Sequence, residues 1–160
     1  MKTNNVINTT LGISPNDALY ELRAFRPNFV DGAEVCRAAV LHPDDNLGLT
    51  SDVRYAVARR VAGTGSNPDF LASYPAPSTA ELRDFAAGGD PQDRKLAALA
   101  RHTDLIAKTP SDASKTHLQD LLDVGFSVPQ IVALSELLAQ VCYEMRIVHG
   151  LSLLKDTDHA

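Results

Sequence analysis

Apolar residues recur at spacings of three and four along most of this chain, and the alternation that marks strands and hairpins is nearly absent. The pattern predicts an all-helical protein. Residues 1–13 carry no such period and read as a flexible N-terminal arm. Ser14-Pro15-Asn16-Asp17 has the makings of a helix start, with Pro in the first turn and an acid at the positive end of the dipole. Leu19, Leu22 and Phe25 give that helix one apolar face, and Pro27 is expected to stop it. A second helix is expected over 29–41, with Phe29, Ala33, Cys36 and Val40 on one side. The segment 42–48 is rich in turn formers.

Thr50 is placed to cap the next helix, with Asp52 in its first turn. Val53, Ala56, Val57 and Val61 form its stripe, and Gly63-Thr64-Gly65 ends it. A short helix is expected over 67–74, then a stiff break at Pro75-Ala76-Pro77. Ser78 is expected to cap a segment carrying Leu82, Phe85 and Ala86, closed by Gly88-Gly89. The pattern over 91–108 predicts a helix with Pro91 in the first turn and Leu96, Leu99, Ala100, Leu105 and Ile106 inward. Ser111 or Ser114 opens the helix that carries Leu118, Leu121 and Leu122 and ends near Gly125.

The last helix, expected over 129–154, is the longest. Ile131, Leu134, Leu138, Val141, Met145 and Val148 form one apolar stripe. Beside it runs a row of small and polar residues: Val132, Ser135, Ala139, Cys142, Arg146 and His149. Glu136, Gln140, Tyr143 and Glu144 are expected on other faces. A helix apolar over so wide an arc is buried on several sides, by its own domain or by another subunit.

Composition narrows the setting. The chain has 160 residues and 17.2 kDa, enough for one domain, here 14–160, to bury a core without disulfides or metals. Fifteen basic residues against twenty acidic give a net charge of −5, which argues against a dedicated nucleic-acid binder. No stretch approaches the roughly 20 apolar residues of a membrane span, and the first residues lack the apolar core of a secretion signal. Cys36 and Cys142 stand alone, far apart, as expected of reduced thiols in a cytoplasmic protein.

Several residues are candidates for chemistry. Cys142, Arg146 and His149 share one row of the last helix. On the functional reading, Arg146 holds an anionic group, His149 moves protons near neutral pH, and Arg146, one turn away, lowers the Cys142 thiol pKa. Cys142 and His149 are two turns apart, about 10 Å along the axis, too far for direct contact. On the structural reading, Arg146 is a buried or interface ion-pair residue and His149 a helix-end cation. His102, among apolar neighbours, is either a proton carrier or a hydrogen-bonded helix histidine. Arg54 and Tyr55 are candidate ligand-binding residues, whereas Arg59 and Arg60 read as a solvated face. His42, His102, His117, His149 and His159 show no metal-ligand spacing, so neither metal nor cofactor is expected. Gly63-Thr64-Gly65 lacks the Lys and preceding strand of a phosphate loop.

The run LDVGFSVPQIVALSELLAQVCYEMRIVHGL, residues 122–151, resembles the closing segment of carboxymuconolactone decarboxylase and alkylhydroperoxidase D-like proteins. The resemblance rests on Gly125, Phe126, Ser127, Ile131, Val132, Arg146, Gly150 and Leu151. It extends upstream over 94–121 with Thr109-Pro110, and more weakly over 47–62. It implies an all-α, alkylhydroperoxidase D-like helical fold whose helices pack between subunits of a dimer, trimer or hexamer, or against a homologous subunit. The redox members of the family carry Glu, then Cys-x-x-Cys, then His. Laid on residues 49–74, that pattern puts Tyr55 near the Glu, Asn67 and Phe70 near the two cysteines, and Tyr74 near the His. Residues 43–80 contain neither Cys nor His. The resemblance therefore implies a branch without the dithiol relay, because one thiolate must attack peroxide and a second must resolve it.

Three functions follow as expectations. The first is a peroxidase-inactive relative that binds a small molecule, such as an anion, or serves as an oligomeric partner. The second is an acid–base enzyme of the decarboxylase type on a small carboxylated lactone, with Arg146 or Arg54 on the carboxylate and His102 or His149 as proton donor. The third is peroxide reduction through Cys142 alone, which requires an exposed, low-pKa thiol.

Overall fold

A computed structural model of the protein describes residues 5–157, with side chains through residue 155. Residues 1–4 of the expected arm, and His159, lie outside the described residues. Among those described there is no strand. The chain forms α1 (Val6–Leu11), α2 (Ala18–Ala24), α3 (Pro27–Leu41), α4 (Ser51–Ala62), α5 (Pro68–Ala72), α6 (Ala80–Ala86), α7 (Arg94–Lys108), α8 (Lys115–Asp123) and α9 (Val128–Thr157), with a 3-10 turn over Pro110–Asp112.

Helix α9 is the axis of the molecule. Helices α1, α3, α4, α7 and α8 pack on it, and α6 lies on the far side of α4. Its buried row is Ile131, Leu134, Leu138, Val141 and Val148, joined by Leu137 and Cys142. Helix α4 is buried among α6, α7 and α9, and its Ala56, Val57, Ala58, Val61 and Ala62 are small enough to let these helices approach closely. Each fully buried Leu or Val contributes about 1.5–3 kcal/mol, so this seam carries much of the fold's stability.

Side-chain caps fix where the helices start. Thr50 Oγ1 accepts from the Val53 N–H at 3.3 Å, and Asn67 Oδ1 from Phe70 at 2.8 Å. Thr79, rather than Ser78, caps α6. The hydroxyl of Ser78 donates instead to Asp52 on α4. Asp93 caps α7 through the Leu96 N–H at 2.9 Å, which leaves Pro91 outside the helix it was expected to open. The Ser114 N–H donates to His117 Nδ1 at 3.1 Å, closing the start of α8. Gly125 ends that helix at φ +88°, a conformation that costs glycine little.

The structure departs from the sequence pattern in four places near the N-terminus and α9. Part of the stretch read as an arm is helix α1, whose Ile7 and Leu11 enter the core beside α9. Asn5 caps it, accepting from the N–H groups of Ile7 and Asn8. Pro27 opens α3 rather than simply ending α2, since a first-turn Pro needs no N–H partner. The buried face of α3 is Val30, Ala33, Arg37 and Leu41, about one residue round from the expected one, so Phe29 and Cys36 are exposed. Finally, Glu144, expected off the apolar stripe on another face of α9, is completely buried.

No helix among the described residues is long and apolar enough to cross a membrane.

Candidate functional site

The glycine-rich link after α4 turns the chain back toward α9. Thr64 Oγ1 donates to the Val61 carbonyl at 2.7 Å, which pins the turn to the end of α4. Met145 of α9 lies so close that a Cβ on Gly65 would meet its sulfur at 3.0 Å. Asn67 then starts α5, and Phe70 plugs the core below.

Between this link and the C-terminal half of α9 lies a cavity of about 570 Å³. That volume falls within the range of about 300–1,000 Å³ usual for small-molecule sites. Ala62, Phe70, Met145 and Val148 form its apolar surface, and Ser66, Asn67, Ser152, Arg146 and His149 its polar one. Asn67 Oδ1 is committed to the α5 cap, and Ser152 Oγ donates to the Val148 carbonyl at 2.9 Å. Arg146 and His149, one turn apart, are the uncommitted groups: neither has an ion-pair or hydrogen-bond partner among the described residues. An unpaired guanidinium beside apolar surface can anchor a carboxylate, and an adjacent imidazole can donate or accept a proton.

The other candidates lie elsewhere. His102 lines a separate cavity of about 540 Å³ between α7 and α8, with His117, Asp104 and Asp120. It is buried, and neither ring nitrogen has a partner among the described residues. Burial, reinforced by His117, pushes its pKa down and favours the neutral ring. His102 therefore does not share a site with Arg146 and His149.

Cys142 is buried, and burial pushes its thiol pKa up against the pull of Arg146. The expected lowering by that cation is outweighed. Cys36, the other free thiol, is exposed on α3. Nucleophilic attack on peroxide needs an accessible thiolate, and the geometry of Cys142 opposes one.

The arginines of α4 are tied into the fold. Arg54 is buried, and its guanidinium donates to the carbonyls of Val40, Asn46 and Leu49 at 2.8–3.1 Å, stitching the 42–50 segment onto α4. Burial holds its pKa below the ordinary arginine value, with Glu136 opposing. The Tyr55 hydroxyl meets His42 Nε2 at 3.3 Å, away from the cavity. Arg59 and Arg60 are not a solvated face. Arg59 donates to the carbonyls of Leu71 and Tyr74. Arg60 grips Asp104 with two bonds of 2.8 and 2.9 Å and also reaches the carbonyls of Phe85 and Gly89.

Sequence reading misses a buried polar cluster around Glu144. Arg37 Nη1 donates to Glu144 Oε2 at 2.5 Å, the Tyr74 hydroxyl to the same oxygen at 2.9 Å, and Gln140 Nε2 to Oε1 at 3.0 Å. The Arg37 guanidinium also stacks 4.1 Å from the Tyr74 ring centre. Burial raises the Glu144 pKa, while Arg37, Gln140 and Tyr74 favour its ionised form and pull it back. Burial likewise raises the Tyr74 pKa, and the neighbouring Glu144 adds to the rise. The only local hint is the Gln140/Glu144 spacing of four on a helix otherwise rich in apolar residues.

Among the described residues, no group of three His, Cys, Asp or Glu side chains is placed to hold a metal ion. Comparison of the chain with family models, with curated proteins and with solved structures finds no match.

Proposed function

We propose that this protein is an alkylhydroperoxidase D-like relative without the dithiol relay, and that it binds a small carboxylate in the cavity between the α4–α5 link and α9. The observation that carries this reading is the position of Asn67 and Phe70. These residues stand where the resemblance expects the reactive cysteines, and both line the cavity that Arg146 and His149 enter from α9. A site is retained at that place, but its sulfur chemistry is not. Arg146 supplies the anion anchor, and the partly exposed Met145, backed by the buried Phe70 and Val148, supplies apolar surface for the body of the ligand. The all-helical architecture and the long central α9 support the same reading. Self-association through apolar side chains left exposed on α9, such as Val132, belongs to the proposal as well.

Acid–base catalysis of the decarboxylase type is the second reading, favoured by His149 beside Arg146 in one cavity. It would run through His149 alone, because His102 faces another cavity.

Calorimetric titration with benzoate tests the binding reading. Wild type is expected to bind and Arg146→Gln to lose at least tenfold in affinity, while neither protein consumes hydroperoxide in the presence of a dithiol. Equal binding by both proteins, or peroxide turnover that disappears in Cys142→Ser, would overturn it.

A further inference from the structure

A second cleft opens on the opposite side of Arg146, between α2, α3 and the same stretch of α9. It encloses about 500 Å³ and is apolar over most of its lining. Arg23, Arg26 and Arg146 are among the residues that line it, and no carboxylate among the described residues forms an ion pair with any of them. Glu34, which with Tyr143 opposes the effect of burial on Arg23, accepts the backbone N–H of Val6 at 2.8 Å. Arg23 Nη2 donates to Asn5 Oδ1 at 3.0 Å, but its Nε is buried without a partner among the described residues, and burial lowers the pKa of the side chain. Arg26 lies 4.4 Å over the ring of Phe29.

The apolar half of the cleft is equally unfinished. Leu22 is 67% exposed and Phe29 58%, and Tyr143 stands at its edge from α9. Sequence periodicity places Leu22 and Phe29 inward, yet among the described residues both stay mostly exposed, with only the Arg26 guanidinium lying over the Phe29 ring. A cation cluster beside exposed apolar side chains in a concave site matches one ligand chemistry: a negative head on an apolar tail. The protein as a whole is acidic, at −5, so the three arginines form a local positive field rather than part of a basic surface.

We propose that the cleft between α2, α3 and α9 binds a free single-chain carboxylate, its head among Arg23, Arg26 and Arg146 and its tail against Leu22, Phe29 and Tyr143. This proposal does not rest on the α4–α5 cavity. Arg23 and Arg26 line only the α2–α3–α9 cleft, whereas Arg146 borders both.

The test uses the full chain and dodecanoate below its micellar concentration. Titration is expected to show saturable binding of dodecanoate, at least tenfold weaker binding of dodecanol, and none of dodecyltrimethylammonium. Arg26→Gln is expected to weaken dodecanoate binding several-fold while leaving benzoate binding unchanged, which separates this cleft from the other cavity. Arg23→Gln should do the same where it folds. The headgroup series on wild type decides the matter even if that variant does not. Equal binding of the three headgroups would overturn the proposal, as would dodecanoate binding indifferent to Arg26. Binding to phosphatidylglycerol vesicles without binding to monomeric dodecanoate would reassign the cleft to a lipid surface. Burial of Leu22 and Phe29 in a dimer that excludes dodecanoate would reassign it to a subunit interface.

Discussion

Arg37 and Glu144, 107 residues apart in sequence, meet in the interior with Arg37 Nη1 2.5 Å from Glu144 Oε2. Glu144 has no exposed surface, and its two oxygens are shared among Arg37, Tyr74 and Gln140. The pair joins α3 to the middle of α9, and Tyr74 adds the end of the α5 region to the same point.

Breaking this pair from one side is expected to be costly, because the remaining charge is left buried. Arg37→Met or Glu144→Leu alone should each reduce unfolding free energy by about 3–5 kcal/mol. The double substitution should recover a large part of that loss, since two apolar side chains replace two charges. Urea denaturation of the three variants measures the coupling. Additive losses would show that the two side chains do not depend on each other.

His102 gives the fold a pH dependence with a definite sign. Burial lowers its pKa in the folded state below the ordinary value of 6.5, so the unfolded chain binds the proton more readily. Stability from this residue is therefore retained above about pH 6.5 and lost as the pH falls through the ordinary imidazole range toward the lowered folded value. Denaturation midpoints at pH 7.5 and 5.5 should differ in wild type and differ less in His102→Leu. That variant should be close to neutral in stability at pH 7.5, since both ring nitrogens lack partners among the described residues. A strong loss at pH 7.5 would show that the imidazole makes a contact the ring geometry does not reveal.

The two cysteines should separate cleanly in alkylation. Cys36 is exposed and is expected to react in the native protein. Cys142 is expected to react only when denaturant exposes it, because burial both blocks access and raises its pKa. Mass spectrometry after a brief iodoacetamide pulse distinguishes one modification from two. Native modification of Cys142 at a rate matching Cys36 would restore the single-thiol peroxidase reading.

Local signals in the sequence are enough for the helical framework. The Leu134, Leu138 and Val141 stripe, the cap at Thr50, the start at Asn67 and the stop at Gly125 each depend on residues a few positions apart, and each is where the pattern places it. Pairings across the fold are not legible. Arg60 looks solvated in the sequence because Asp104, which it grips, lies 44 residues downstream. The burial of Glu144 is not legible because its compensating donors, Arg37 and Tyr74, come from other parts of the chain. Helix α1 escapes the pattern because six residues are too few to show a period, although Asn5 carries the capping signal. The face of α3 differs from the expected one because a shift of one residue turns a helix by about 100°, and Arg37 buries on a side that hydrophobicity alone does not mark. At the candidate site, the Arg146/His149 pairing follows from helix spacing. The exclusion of His102 and Arg54 requires the tertiary fold.

A crystal structure of the full chain grown with benzoate is the most direct measurement. The carboxylate is expected on the Arg146 guanidinium, with the ring against Met145 and both cysteines unpaired. A cavity closed by side chains of a second subunit, or the two sulfurs bonded to each other, would contradict it.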